Sequence, residues 1–154
     1  MTPADLYLTD LAVMMGVTVE YTHDLPADRD GDYNHPRRHI RIREGLHARH
    51  TRSVLAHELG HASFGHVRSR FGPVNAKQER AAEEWAALRL ISIDDYRAAE
   101  ESHRGHLGAI AIELGVMRST VAAFHGLLTR LGDATYLAPR MGERQWDHRE
   151  LALR

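Results

Sequence analysis

The sequence predicts an α+β fold in which a small antiparallel sheet packs on a helical bundle, and three observations carry that expectation. Residues 17–21 and 39–43 alternate side chains with the period of a strand. Several longer stretches, 49–66 among them, repeat their apolar residues at helical spacing. At 154 residues the chain suits one buried core with short additions. We therefore expect a single domain over residues 1–131, including a helix-turn-helix-like segment at 106–131, followed by a poorly packed C-terminal tail at 132–154.

The elements follow in order. Thr2 can cap a first helix, Pro3 suits its first turn, and Gly16 can end it. Val17 to Tyr21 reads as a strand, and His39 to Arg43 as another that places Arg on one face. The stretch between them, Asp28 to Pro36, is dense in turn formers. A long helix is expected from about Arg49 to His66, with Val54, Leu55, Leu59 and Ala62 inward. After Gly72-Pro73, a second should start near Asn75 and bury Ala82, Trp85 and Ala86. Ser92 with Asp94 and Asp95 marks a further helix start, and two more helices are expected at about His106 to Leu114 and Ser119 to Leu131.

Composition excludes several classes of function. The chain carries 20 Lys+Arg against 21 Asp+Glu, so no net field draws it to nucleic acid or to an anionic membrane. No apolar run approaches the roughly 18 residues of a membrane span, and the acidic start, with Asp5 and Asp10, is unlike a signal peptide. A cytoplasmic location is the expectation. Cysteine is absent while histidine occurs 12 times, so a bound transition metal would be held by imidazole and carboxylate, a combination that suits zinc.

The chemistry is concentrated in His57-Glu58-Leu59-Gly60-His61, an H-E-x-x-H motif inside a predicted helix. A period of 3.6 residues puts His57 and His61 on one face, where both can reach one ion. Glu58 points about 100° away from His57, beside the ion, where it can take a proton from the water that the metal activates. A catalytic zinc needs a third protein ligand. His66 does not complete H-E-x-x-H-x-x-G-x-x-H, because Phe64 and Val67 stand where Gly and His are required. Glu79, Glu83 and Glu84 follow on the next helix, and Glu79 with Glu83 shares one face, as a ligand and a carboxylate orienting a ligand histidine would.

Leu55 to Ala62 together with Gln78 to Ala87 resembles the ImmA/IrrE family of metallopeptidases, common in phages and bacterial mobile elements. The resemblance implies a gluzincin-like zincin site with one Zn2+ per chain, in which Glu79 is the third ligand. Glu83 stands where the family usually has Asn or Asp as the carboxylate or amide behind a ligand. A second departure is Leu90-Ile91-Ser92, which lacks the proline of the family's L-L-M-P ending. The resemblance also implies that His39 to Arg43 is an edge strand above the cleft; independently, an alternating strand with free backbone groups can hold an extended peptide by strand addition, through His39, Ile40, Arg41 and Ile42, or be an ordinary solvent-facing edge protected by Arg.

The expected activity is endoproteolysis, with a protein substrate such as a repressor of a phage or mobile element. Nucleic acid is not expected as a partner, because the predicted last helix offers only Arg118, Arg130 and His125 to phosphates. The rival readings are a helix-turn-helix DNA-binding regulator, or an interaction module with a structural or vestigial metal site. A donor to the carbonyl oxygen of the substrate is also required, with Tyr33, Tyr96, His103 and His106 as candidates.

Overall fold

The computed structural model describes residues 1–131, in which six helices and three strands are formed. These residues fall into two compact units, 1–86 and from Ala87 onward. The α+β class is that expected from the sequence. The expected tail, 132–154, lies outside the described residues.

In the first unit, α1 (Pro3–Met14) opens on a capping box: Thr2 Oγ1 accepts from the Asp5 amide, and the Asp5 carboxylate accepts from the Thr2 amide. Asp5 also receives Arg52 from α2 (Ala48–Phe64), Nε to Oδ1 at 2.7 Å and Nη2 to Oδ2 at 3.2 Å. Arg52 is only 8% exposed, so the pair is shielded from water, and the guanidinium holds the Asp5 carboxyl well below the usual carboxylate range. This tie anchors the N-terminal helix to the helix that carries the H-E-x-x-H motif. Leu8, Ala12, Ile40, Ile42, Leu55, Ala56 and Leu59 form the apolar interior around it.

The sheet has the order β1 (Thr18–Thr22), β3 (His39–Arg43), β2 (Gly31–Asn34). It is mixed: β1 and β3 run parallel, whereas β2 and β3 are antiparallel. This corrects the expected antiparallel sheet, because alternation within a strand sets its faces and says nothing of its neighbour's direction. A second correction concerns β2, which forms inside the stretch dense in turn formers. A tight turn over His35–Arg38, closed by Arg38 N–H to His35 C=O at 3.0 Å and by Arg38 in the left-handed region at φ 47°, folds β2 back along β3. β3 is thereby the central strand, not an edge.

The ends of α2 are set by local chemistry. His47 caps its start, its ring accepting from the His50 amide, and Gly65 ends it at φ 63°. Helix α3 (Gly72–Leu90) begins earlier than Asn75. Pro73 lies in its first turn, where a missing N–H costs nothing. Asn75 instead braces the preceding loop, accepting from Ser69 N–H at 2.8 Å and donating to Ser69 C=O at 2.6 Å.

The second unit comprises the end of α3 with α4 (Ile93–Ser102), α5 (Leu107–Leu114) and α6 (Arg118–Leu131). Its core contains Ile91, Tyr96, Ile110, Val116, Val121 and Phe124. Gly115, at φ 68°, ends α5, and the chain bends by 108° into α6. Among the described residues no single helix is long and apolar enough to cross a membrane.

Candidate metal centre

Helix α2 places His57 and His61 one turn apart, and α3 brings Glu79 against both. The His57 and His61 Nε2 atoms lie 3.1 Å apart, Glu79 Oε2 is 3.0 Å from His57 Nε2, and Glu79 Oε1 is 3.1 Å from His61 Nε2. These residues form the potential metal-binding group found among the described residues. At the roughly 2.0 Å bonds that zinc makes, tetrahedral ligands stand about 3.3 Å apart, so the donor set has the spacing of three corners of such a site.

Without a cation the same groups share a proton. Burial disfavours a charged His57, but hydrogen bonds to Glu79 and Glu83 outweigh it and push its pKa up to about 10. The two imidazoles hold the Glu79 carboxyl well below the usual range. A metal bound by these donors would take the place of that proton.

The far nitrogens of both imidazoles are engaged. Glu83 Oε2 lies 2.8 Å from His57 Nδ1, and His66 Nδ1 lies 2.9 Å from His61 Nδ1. Burial lowers the His66 pKa, so its ring is neutral and can accept the His61 Nδ1–H. Sequence reasoning set His66 aside as a ligand and missed this contact. The signal was Gly65, whose left-handed conformation reverses the chain at the helix end and returns His66 to the ring five residues earlier.

Glu58 is 7% exposed, and burial pushes its pKa up to about 7 against the lowering influence of His57 and His61. Strand β2 covers it. A Cβ on Gly31 would stand 2.5 Å from Val54 Cγ1 and 3.1 Å from the Glu58 carboxylate, so any larger residue here would force these side chains to move. Helix α3 comes equally close on the other side: a Cβ on Gly60 would meet the Ala82 carbonyl oxygen at 2.8 Å. Neither contact was foreseen from the sequence, where Gly31 reads as one of a run of turn formers and Gly60 as a variable position of the motif.

The centre opens into a cleft of about 900 Å³ whose walls include Tyr33, Asn34, Glu58, His61, His66 and Glu79. His39 and Arg41 also line it, but the expected role of His39 to Ile42 as a pairing edge is overturned by the sheet order. Both edges of β3 are already bonded, to β1 and to β2. Ile40 and Ile42 are fully buried, and His39 is held by Thr18 and Glu20 at 2.7 and 2.9 Å. Arg41 Nε donates to Asp32 at 2.9 Å. Among the described residues, the unpaired sheet edge beside the centre belongs to β2.

Residues 13–124, more than half of the chain, match the family Peptidase_M78, described as the IrrE N-terminal-like domain. No curated protein and no solved structure gives a significant match.

Proposed function

The chain belongs to the Peptidase_M78 family of IrrE N-terminal-like domains, and from that premise we propose that it is a zinc-dependent endopeptidase. The observation that carries the reading is the convergence of His57, His61 and Glu79 on one point with Glu58 beside them. His57, His61 and Glu79 would hold one Zn2+. When bound, the ion supplies Lewis acidity, making water acidic enough to lose a proton near neutral pH and polarising the scissile carbonyl.

The protein's own groups do the rest. Glu58, with its pKa raised to about 7, is matched to taking a proton from water and passing it to the leaving amine. Glu83 and His66 keep the ligand rings turned inward through their Nδ1 contacts. The free edge of β2 is suited to an extended peptide, which its backbone groups would pair by strand addition. Cleavage needs the scissile segment to lie extended at the centre, so a protein with an exposed loop or linker is the substrate class that we propose. A cytoplasmic regulator such as a repressor of a phage or mobile element is the partner that we propose.

The 108° bend between α5 and α6 has helix-turn-helix form and keeps DNA binding as the second reading. It is the weaker one, because His125 is occupied by Tyr96 at 2.9 Å and only Arg118 and Arg130 add charge to the last helix.

Metal analysis of the untagged protein, beside Glu58→Gln and the double variant His57→Ala/His61→Ala, tests the proposal. Expected are about one zinc per chain, its loss in the double variant, and its retention in Glu58→Gln with cleavage lowered by roughly 10²–10⁴-fold. Wild-type protein that takes up no zinc sinks the peptidase reading.

A further inference from the structure

Strand β2 runs along α2, and its two ends mark out where its middle lies. At the start, Gly31 presses on Val54 and Glu58. Just beyond the end, the His35 ring lies 3.2 Å from where a Cβ of Gly65 would be, at the C-terminus of the same helix. Tyr33 stands between them and projects to the same face as Gly31, since strand side chains alternate. That face also carries Ile40 and Ile42, the β3 partners of Tyr33 and Gly31, both buried. Tyr33 is thus set over the turn of α2 that carries His61, and it lines the cleft with Glu58, His61 and Glu79.

Resting on the peptidase reading, we propose that Tyr33 is a catalytic residue whose phenol O–H donates to the carbonyl oxygen of the scissile peptide as that oxygen gains negative charge. His35 is its positioning residue. Tyr33 Oη lies 2.9 Å from His35 Nδ1, and the rings meet edge-on with centroids 5.8 Å apart. With the proton on His35 Nδ1, the imidazole donates to the phenol oxygen and leaves the phenol hydrogen for substrate. Gly65 gives the imidazole its seat, because a side chain there would crowd the ring.

Hydrolysis remains balanced with Glu58 as the only proton carrier. The water oxygen bonds to the carbonyl carbon, the C–N bond then breaks, one water proton passes through Glu58 to the leaving nitrogen, and Tyr33 gives a hydrogen bond without giving up its proton. Desolvation raises the phenol pKa, which keeps it a donor. The other candidate donors are occupied within their own unit. Tyr96 is buried with its hydroxyl on His125. His103 is bonded to Glu113, and His106 caps α5 by accepting from Ala109 N–H.

The test compares zinc-loaded wild type with Tyr33→Phe and His35→Phe by calorimetric titration of two probes. One is an N-phosphoryl dipeptide, whose tetrahedral phosphoryl oxygens imitate the charged carbonyl oxygen. The other is a mercaptoacyl dipeptide, which binds zinc through sulfur and offers no such oxygen. Expected for Tyr33→Phe is a roughly 10- to 100-fold loss of affinity for the phosphoryl probe, with the sulfur probe and the zinc content unchanged. A smaller loss, again confined to the phosphoryl probe, is expected for His35→Phe. Equal affinity of wild type and Tyr33→Phe for the phosphoryl probe overturns the role of Tyr33 while the metallopeptidase stands. Failure of Tyr33→Phe to load zinc shows a structural role and overturns it too. Wild type that takes up no zinc overturns both readings.

Discussion

Glu83 touches His57 through a single 2.8 Å contact, and that contact decides how freely the imidazole can turn. A histidine that binds a metal through Nε2 must keep its proton on Nδ1, and a carboxylate behind it fixes both tautomer and orientation. Replacing Glu83 by Ala should therefore weaken zinc binding by roughly 10- to 100-fold, measured by competition with a chelator, without unfolding the protein. An unchanged affinity would show that packing of α2 alone orients His57. The identity of this contact was partly legible beforehand, because Glu79 and Glu83 share a helix face at a spacing of four. Which of the two meets Nε2 and which meets Nδ1 depends on how α3 lies across α2, and no spacing along the chain contains that.

Helices α2 and α3 can bring their ligands together because Gly60 lets the backbones approach. A methyl group there would lie 2.8 Å from the Ala82 carbonyl oxygen, which belongs to rigid backbone and cannot swing aside. Gly60→Ala should force the helices apart, cost about 1–3 kcal/mol in denaturant unfolding, and lower zinc affinity along with stability. Retained affinity would mean that α3 can slide to restore the Glu79 contact. At this scale the sequence was informative wherever a helix is governed by local groups. Thr2, Pro3 and Ser92 each mark a start that the structure contains, since a cap acts within one turn. It was uninformative for β2, whose Gly31, Asp32 and Asn34 have turn-like preferences and are held extended by β3 partners five to eleven residues further on. The parallel pairing of β1 and β3 was hidden for the same reason, and with it the fact that β3 has no free edge.

For the whole molecule, the metal-free site makes stability depend on pH in a definite direction. The His57 pKa rises from 6.5 to about 10 on folding, so its contribution is complete below pH 6.5 and is lost as pH rises through 10. The Glu58 pKa rises from 4.5 to about 7, so the folded state also pays increasingly for ionising this carboxyl between those values. Both groups bind more protons folded than unfolded, so the metal-free protein loses stability through Glu58 as pH climbs from 4.5 to about 7 and through His57 as it climbs from 6.5 to about 10. Thermal melting after chelation should give a lower Tm at pH 9 than at pH 6, and added zinc should narrow the gap, because the ion replaces the shared proton. A flat profile after chelation would show that neither shift is present in the metal-free protein. Two hydrogens, those on Gly31 and Gly60 in place of a methyl, let the strand and the second helix close on this centre. A descendant chain could drift to alanine at either position, keep every histidine and glutamate that a motif search inspects, and be counted as an equal peptidase although its centre had loosened.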